Sequence, residues 1–166
     1  MLAHAPTPLD LSDLTALTRR YADEVRLGRH EVQVDTVHRW SQRLFTDDVV
    51  DVWLISWAQE QVAELHDHAR SLGALTVVRG SLVEQRWVAG KGLRTRHLHT
   101  GRGATFPLGH VHDVANHLPE PAVSVHAYSQ PLTAMSYYDV AGGGFLRRTR
   151  TELTDEPEKT TVNGAA

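Results

Sequence analysis

The chain has 166 residues, 41% hydrophobic and 22% charged, with a net charge of −3 and no cysteine. A single domain of this length can bury its own core, and the charge balance excludes a basic nucleic-acid surface and a charged interaction tail. The lack of cysteine excludes disulfides, thiolate metal sites and a cysteine nucleophile, and fits a reducing cytoplasm.

The N-terminus, MLAHAPTPLDL, has neither the basic nor the apolar segment of a secretion signal, and no run approaches a membrane span. A cytoplasmic protein without membrane or nucleic-acid partners is expected. Between residues 10 and 28, Leu11, Leu14, Leu17, Tyr21 and Val25 recur at helical spacing and the pattern stops at Gly28. Thr36 to Phe45 places Val37, Trp40 and Leu44 on one side of a second, shorter helix. From Val49 to Trp57 (VVDVWLISW) the residues become β-branched and aromatic. Strand-like runs follow at 61–68, 74–79, 82–88, 93–99, 110–115, 122–128, 133–140 and 145–152, separated by Gly, Pro or polar groups. They predict a mainly β antiparallel barrel or double-sheet jelly roll. The expected organisation is one domain over 1–153, helical over 10–45 and barrel over 48–153. The tail 154–166 (TDEPEKTTVNGAA) lacks apolar content and is expected to be disordered.

The chain carries 11 histidines, and three pairs have the form H-x-H: His66/His68, His97/His99 and His110/His112. On a strand, residues i and i+2 point the same way, so such a pair can aim two imidazoles at one ion. His97 and His99 stand beside Arg94 and Arg96, a neighbourhood that disfavours a cation and suits a solvated edge. His66 and His68 lie between two apolar runs in the middle of the barrel segment. Downstream, Gly101, Pro107, Gly109, His112 and Asn116 are spaced as G-x5-P-x-G-x2-H-x3-N, which resembles the second motif of the cupin family. The first cupin motif is met in part by His66, His68 and Gly80, while its opening glycine is absent and Gly73 stands at its glutamate. The resemblance implies a cupin barrel with a metal on His66, His68 and His112. His110 shares a face with His112 and is the alternative third ligand. Three neutral imidazoles would leave a divalent ion its full charge and open positions, an arrangement that welcomes an anionic chelating substrate such as a thiolate with a neighbouring amine.

Two further segments, HDHARSLG (66–73) and PAVSVHAYS (121–129), resemble the cysteine dioxygenase type I family of cupin thiol dioxygenases, in its bacterial form. The similarity runs from about Arg39 to Asp139. It implies ferrous iron, Fe(2+), on the three histidines and oxidation of L-cysteine by O2 to cysteine sulfinic acid. It also implies a Ser124–His126–Tyr128 relay beside the iron. Gly73 stands where animal members carry a cysteine that cross-links to the tyrosine, and the family's S-P-P reads Ser129-Gln130-Pro131. For the substrate carboxylate, the family's Y-x-R-x-L stretch falls on Trp40-Ser41-Gln42-Arg43-Leu44. Alignment to the leucine selects Gln42, as in relatives acting on 3-mercaptopropionate; a shift of one residue selects Arg43, as in the cysteine branch, whose pattern residues 66–73 follow. The alternatives are a dioxygenase for another small thiol and a non-catalytic metal- or ligand-binding cupin. The expected partners are a small thiol and O2, and the expected state is a monomer.

Overall fold

Asp10 starts the one long helix among the described residues, α1 (Leu11–Arg26), by accepting from the backbone N–H groups of Ser12 and Asp13, while the Asp13 side chain accepts from the Asp10 N–H. Gly28 (φ 72°) ends it, as the sequence predicts. The structure, a computed structural model, describes residues 7–157.

Eleven antiparallel strands follow among those residues: β1 (Ser41–Thr46), β2 (Asp51–Trp57), β3 (Gln61–Asp67), β4 (Leu72–Arg79), β5 (Ser81–Val88), β6 (Gly92–His99), β7 (Gly103–Phe106), β8 (His112–Asn116), β9 (Ala122–Ser129), β10 (Ala134–Ala141) and β11 (Phe145–Leu153). They form two sheets, in the orders β1-β2-β9-β4-β7 and β11-β10-β3-β8-β5-β6. The fold is the mainly β, double-stranded β-helix expected from the sequence. No helix among the described residues is long and apolar enough to cross a membrane.

The central strands β2, β9 and β4 of the five-stranded sheet are buried on both faces, which explains why VVDVWLISW reads as one apolar run rather than an alternation. Trp53, Ile55 and Trp57 point between the sheets, where they meet Leu75, Val77, Phe106 and Val114. Val52 and Leu54 point outward into a second cluster that includes Leu14, Tyr21, Ala22 and Val25 of α1, the helix itself resting on β4 and β9.

The helix expected over Thr36–Phe45 is not formed. Residues 41–46 are instead the edge strand β1, paired with β2 through a bulge between Arg43 and Phe45. Trp40 and Leu44 both pack toward α1, and a spacing of four satisfies a strand as well as a helix. Val37, which made the pattern look helical, is more than half exposed. Strand β7 lies outside the predicted runs. The peptide between Ser129 and Gln130 is cis.

Residues 154–157, at the start of the expected tail, make defined contacts. The Thr154 N–H donates to the Thr133 carbonyl (3.1 Å), the Glu156 N–H donates to Thr154 Oγ1, and Pro157 is buried. The rest of that tail, 158–166, lies outside the described residues.

Candidate metal centre

His66 on β3 and His112 on β8 are direct cross-strand partners. A bulge between Ala63 and His66 adds one residue to β3, so both Ala63 and His66 face the same cavity although simple alternation would separate them. His68 follows at the strand's end, held by a turn in which the Asp67 carboxylate accepts from the Ala69 N–H (2.9 Å) and from the Tyr138 hydroxyl (2.6 Å). That carboxylate faces away from the imidazoles, as the alternation predicts.

The three rings converge, with one nitrogen from each lying within 4.8 Å of the other two. His66 Nδ1 donates to the Glu64 carbonyl (2.6 Å), which turns its Nε2 toward His68 Nε2 at 3.2 Å. His112 Nδ1 donates to Glu84 Oε1 (2.9 Å), and its Nε2 is buried without a hydrogen-bond partner. Burial, then the neighbouring imidazoles, pushes His66 and His68 well below the usual histidine range. Burial also lowers His112, although Glu84 opposes it. Neutral imidazoles with inward lone pairs and an orphaned Nε2 fit a first-row divalent ion such as iron or zinc.

His126 and Tyr128 on β9 line the same cavity, with Arg39, Trp57 and Pro157 completing its wall. Trp57 Nε1 donates to Ser124 Oγ (2.9 Å); Ser124 Oγ lies 2.9 Å from His126 Nε2, and His126 Nδ1 lies 3.2 Å from the Tyr128 hydroxyl. Burial and then the Arg39 charge push His126 down to about 3, so it is neutral, and burial raises the Tyr128 hydroxyl above its usual range, so it is protonated. Gly73 pairs with Tyr128 across β4 and β9, and a Cβ there would stand 2.7 Å from the Phe106 ring and 3.1 Å from that of Tyr128. This position therefore has no room for a side chain.

The structure does not bring Arg43 or Gln42 to this cavity. They point to opposite faces of β1, not to neighbouring positions on a helix. The Arg43 guanidinium lies over the Trp53 ring and donates to the Asp155 carbonyl (2.6 Å) and carboxylate (3.1 Å). Gln42 borders a surface depression beside Arg29, His30 and Trp40. The cation in the cavity wall is Arg39, buried with its guanidinium 4.5 Å from the Trp57 ring centre.

His97 and His99 are exposed. His110 turns to Glu84 (3.0 Å) and stays outside the triad. Glu84 itself went unread in the sequence. It is fully buried, and it accepts from His110, His112 and Arg96. Burial alone would raise its carboxyl, but those three donors outweigh burial and hold it well below the usual range. Its signal was available: Glu84 shares a strand face with Leu82, an apolar interior position.

Comparison with solved structures finds the same fold at low identity. TT1209 from Thermus thermophilus is 20% identical over 62% of this chain and 92% of its own, with a TM-score of 0.54. A double-stranded β-helix protein from Klebsiella pneumoniae is 18% identical over 72% of this chain and 90% of its own, with a TM-score of 0.53. An oxalate decarboxylase from Lactobacillus farciminis, solved as a formate complex, is 14% identical over 64% of this chain and 32% of its own (TM-score 0.52). The family model for cysteine dioxygenase type I matches residues 7–141. With a cupin barrel, an inward-facing histidine triad and a family match over most of its length, the chain belongs to the cysteine dioxygenase type I family.

Proposed function

We propose that the chain is a non-haem thiol dioxygenase that uses ferrous iron on His66, His68 and His112 to convert L-cysteine and O2 to cysteine sulfinic acid. The observation that carries this reading is the meeting of an all-imidazole triad with a hydroxyl relay in one cavity. In the reaction both atoms of O2 join the sulfur, which gives up the four electrons that the oxygen takes. Iron, when bound, supplies the one-electron chemistry that lets a thiolate react with O2. The rest falls to the chain's own residues.

Trp57 sets the direction of the relay. An indole N–H can only donate, so Ser124 Oγ accepts from it and turns its own proton toward His126 Nε2. A neutral His126 then carries its proton on Nδ1 and donates to the Tyr128 oxygen. That leaves the Tyr128 O–H to point into the cavity, where it can donate to the reacting sulfur or oxygen. Arg39 lies in the same wall and supplies a fixed positive fork for the substrate carboxylate.

Tyr128→Phe removes this donor and little else. It should keep the metal content of the wild type and lower turnover ~10²-fold, as for a positioned proton donor; unchanged kinetics would make Tyr128 a packing residue. The substrate is tested by oxygen uptake of the iron-loaded protein with cysteine and with 3-mercaptopropionate. Faster uptake with the latter would replace cysteine in this reading, and thiol binding without uptake would replace catalysis.

A further inference from the structure

We propose that Glu84 is the positioning residue of the metal centre, returning from behind His112 the negative charge that the triad itself lacks. This rests on the reading of His66, His68 and His112 as the ligands. The position where cupins usually carry a glutamate ligand is Gly73, closed to any side chain by Phe106 and Tyr128. On the next strand of the chain, in the other sheet, Glu84 is fully buried and accepts a hydrogen bond from His112 Nδ1 at 2.9 Å. That bond fixes the His112 tautomer with its lone pair on Nε2, the atom left buried and unpartnered. A carboxylate behind a ligating imidazole makes the ring a more basic donor and locks its orientation. Placed there, the charge acts through the ring and occupies no coordination position. A chelating substrate then finds the sites that a carboxylate ligand would have blocked.

The other two donors explain how a carboxylate can be buried so completely. Arg96 reaches it from the β6 edge, and His110 Nε2 lies 3.0 Å from Oε1, the same oxygen that serves His112. An unpaired carboxylate at this depth would be costly. Its three donors satisfy both oxygens and keep the carboxylate aimed at His112. A purely structural reading would make Glu84 a buried ion-pair partner of Arg96 and would leave metal affinity untouched.

The test is titration of metal-free protein with cobalt(II), followed by visible absorption, in Glu84→Gln, Glu84→Leu and the exposed control His97→Ala. Glutamine keeps an oxygen acceptor for His112 and removes the charge; leucine removes both. Cobalt affinity should fall ~10-fold in the first and up to ~100-fold in the second, with an altered absorption band, while His97→Ala stays near wild type. If leucine prevents folding, the glutamine variant decides alone, its fold checked by circular dichroism of the metal-free protein. Wild-type affinity in Glu84→Gln, with or without lower thermal stability, overturns the proposal. A wild type that binds cobalt but does not oxidise cysteine in its iron form sinks the substrate reading and leaves this one standing.

Discussion

His112→Ala empties the metal centre: metal per chain should fall to background and oxygen uptake with cysteine should fall with it. Two imidazoles do not hold a divalent ion in place, and the lost ring was the one locked from behind by Glu84. The same loss is expected for His66→Ala and His68→Ala, since all three nitrogens belong to one cluster. Removing His112 also costs Glu84 a donor, so stability must be measured beside metal content to separate an empty site from an unfolded chain. His97→Ala and His99→Ala are the matched controls, exposed histidines in the same H-x-H format, and should behave as wild type. Elemental analysis of the five proteins after iron loading decides the matter. Full metal content in His112→Ala, or an empty site in His97→Ala, would show that the wrong pair has been chosen.

Arg39→Ala should raise the Michaelis constant for cysteine sharply. The lost binding should be ~2–5 kcal/mol, the range for a buried charge pair broken on one side. Arg39 lines the histidine cavity and is buried, so a carboxylate reaching it leaves water and needs a cationic partner. Cysteamine, which has no carboxylate, should be a poor substrate that this change hardly affects. Arg43→Ala should act more weakly, by releasing Asp155 at the rim, and Gln42→Ala should be silent. Steady-state kinetics on the three variants separates the possibilities. If Arg43 proved essential and Arg39 dispensable, residues 154–157 would have to leave Arg43 for substrate to bind.

Local periodicity accounts for the faces that the site residues share: His66 and His68 are two apart, and so are Ser124, His126 and Tyr128. The choice of His112 and of the relay came from the resemblance to known motifs. Helix α1 was legible because its apolar stripe and its terminal glycine agree. Where two periods coincide the reading failed: Trp40 and Leu44, four apart, fit either structure, and only pairing with β2 selects the strand. Strand β7 is a four-residue segment opening on glycine, too short to show alternation, although its Phe106 is fully buried between the sheets. Arg39, Glu84 and Pro157 join the site through contacts between distant segments, which no local pattern records. The cation in the cavity wall went unread for this reason. Reading a helix over 36–45 kept attention on Gln42 and Arg43, whereas the chain reaches the cavity just before β1 begins.

The register that sets His66 opposite His112 has a mechanical consequence. Between these residues the chain builds β4 to β7, and the two ligands return from that excursion as neighbours on adjacent strands. An ion shared by them fastens β3 to β8 much as a disulfide would, in a chain that has no cysteine to form one. Because the unfolded chain offers no preformed triad, every increment of metal affinity is also resistance to unfolding. The gain is about 2.7 kcal/mol when free metal stands at a hundred times its dissociation constant. The centre that would carry out the chemistry is thus also a clasp for the barrel, and its loaded and empty forms are two proteins of different durability.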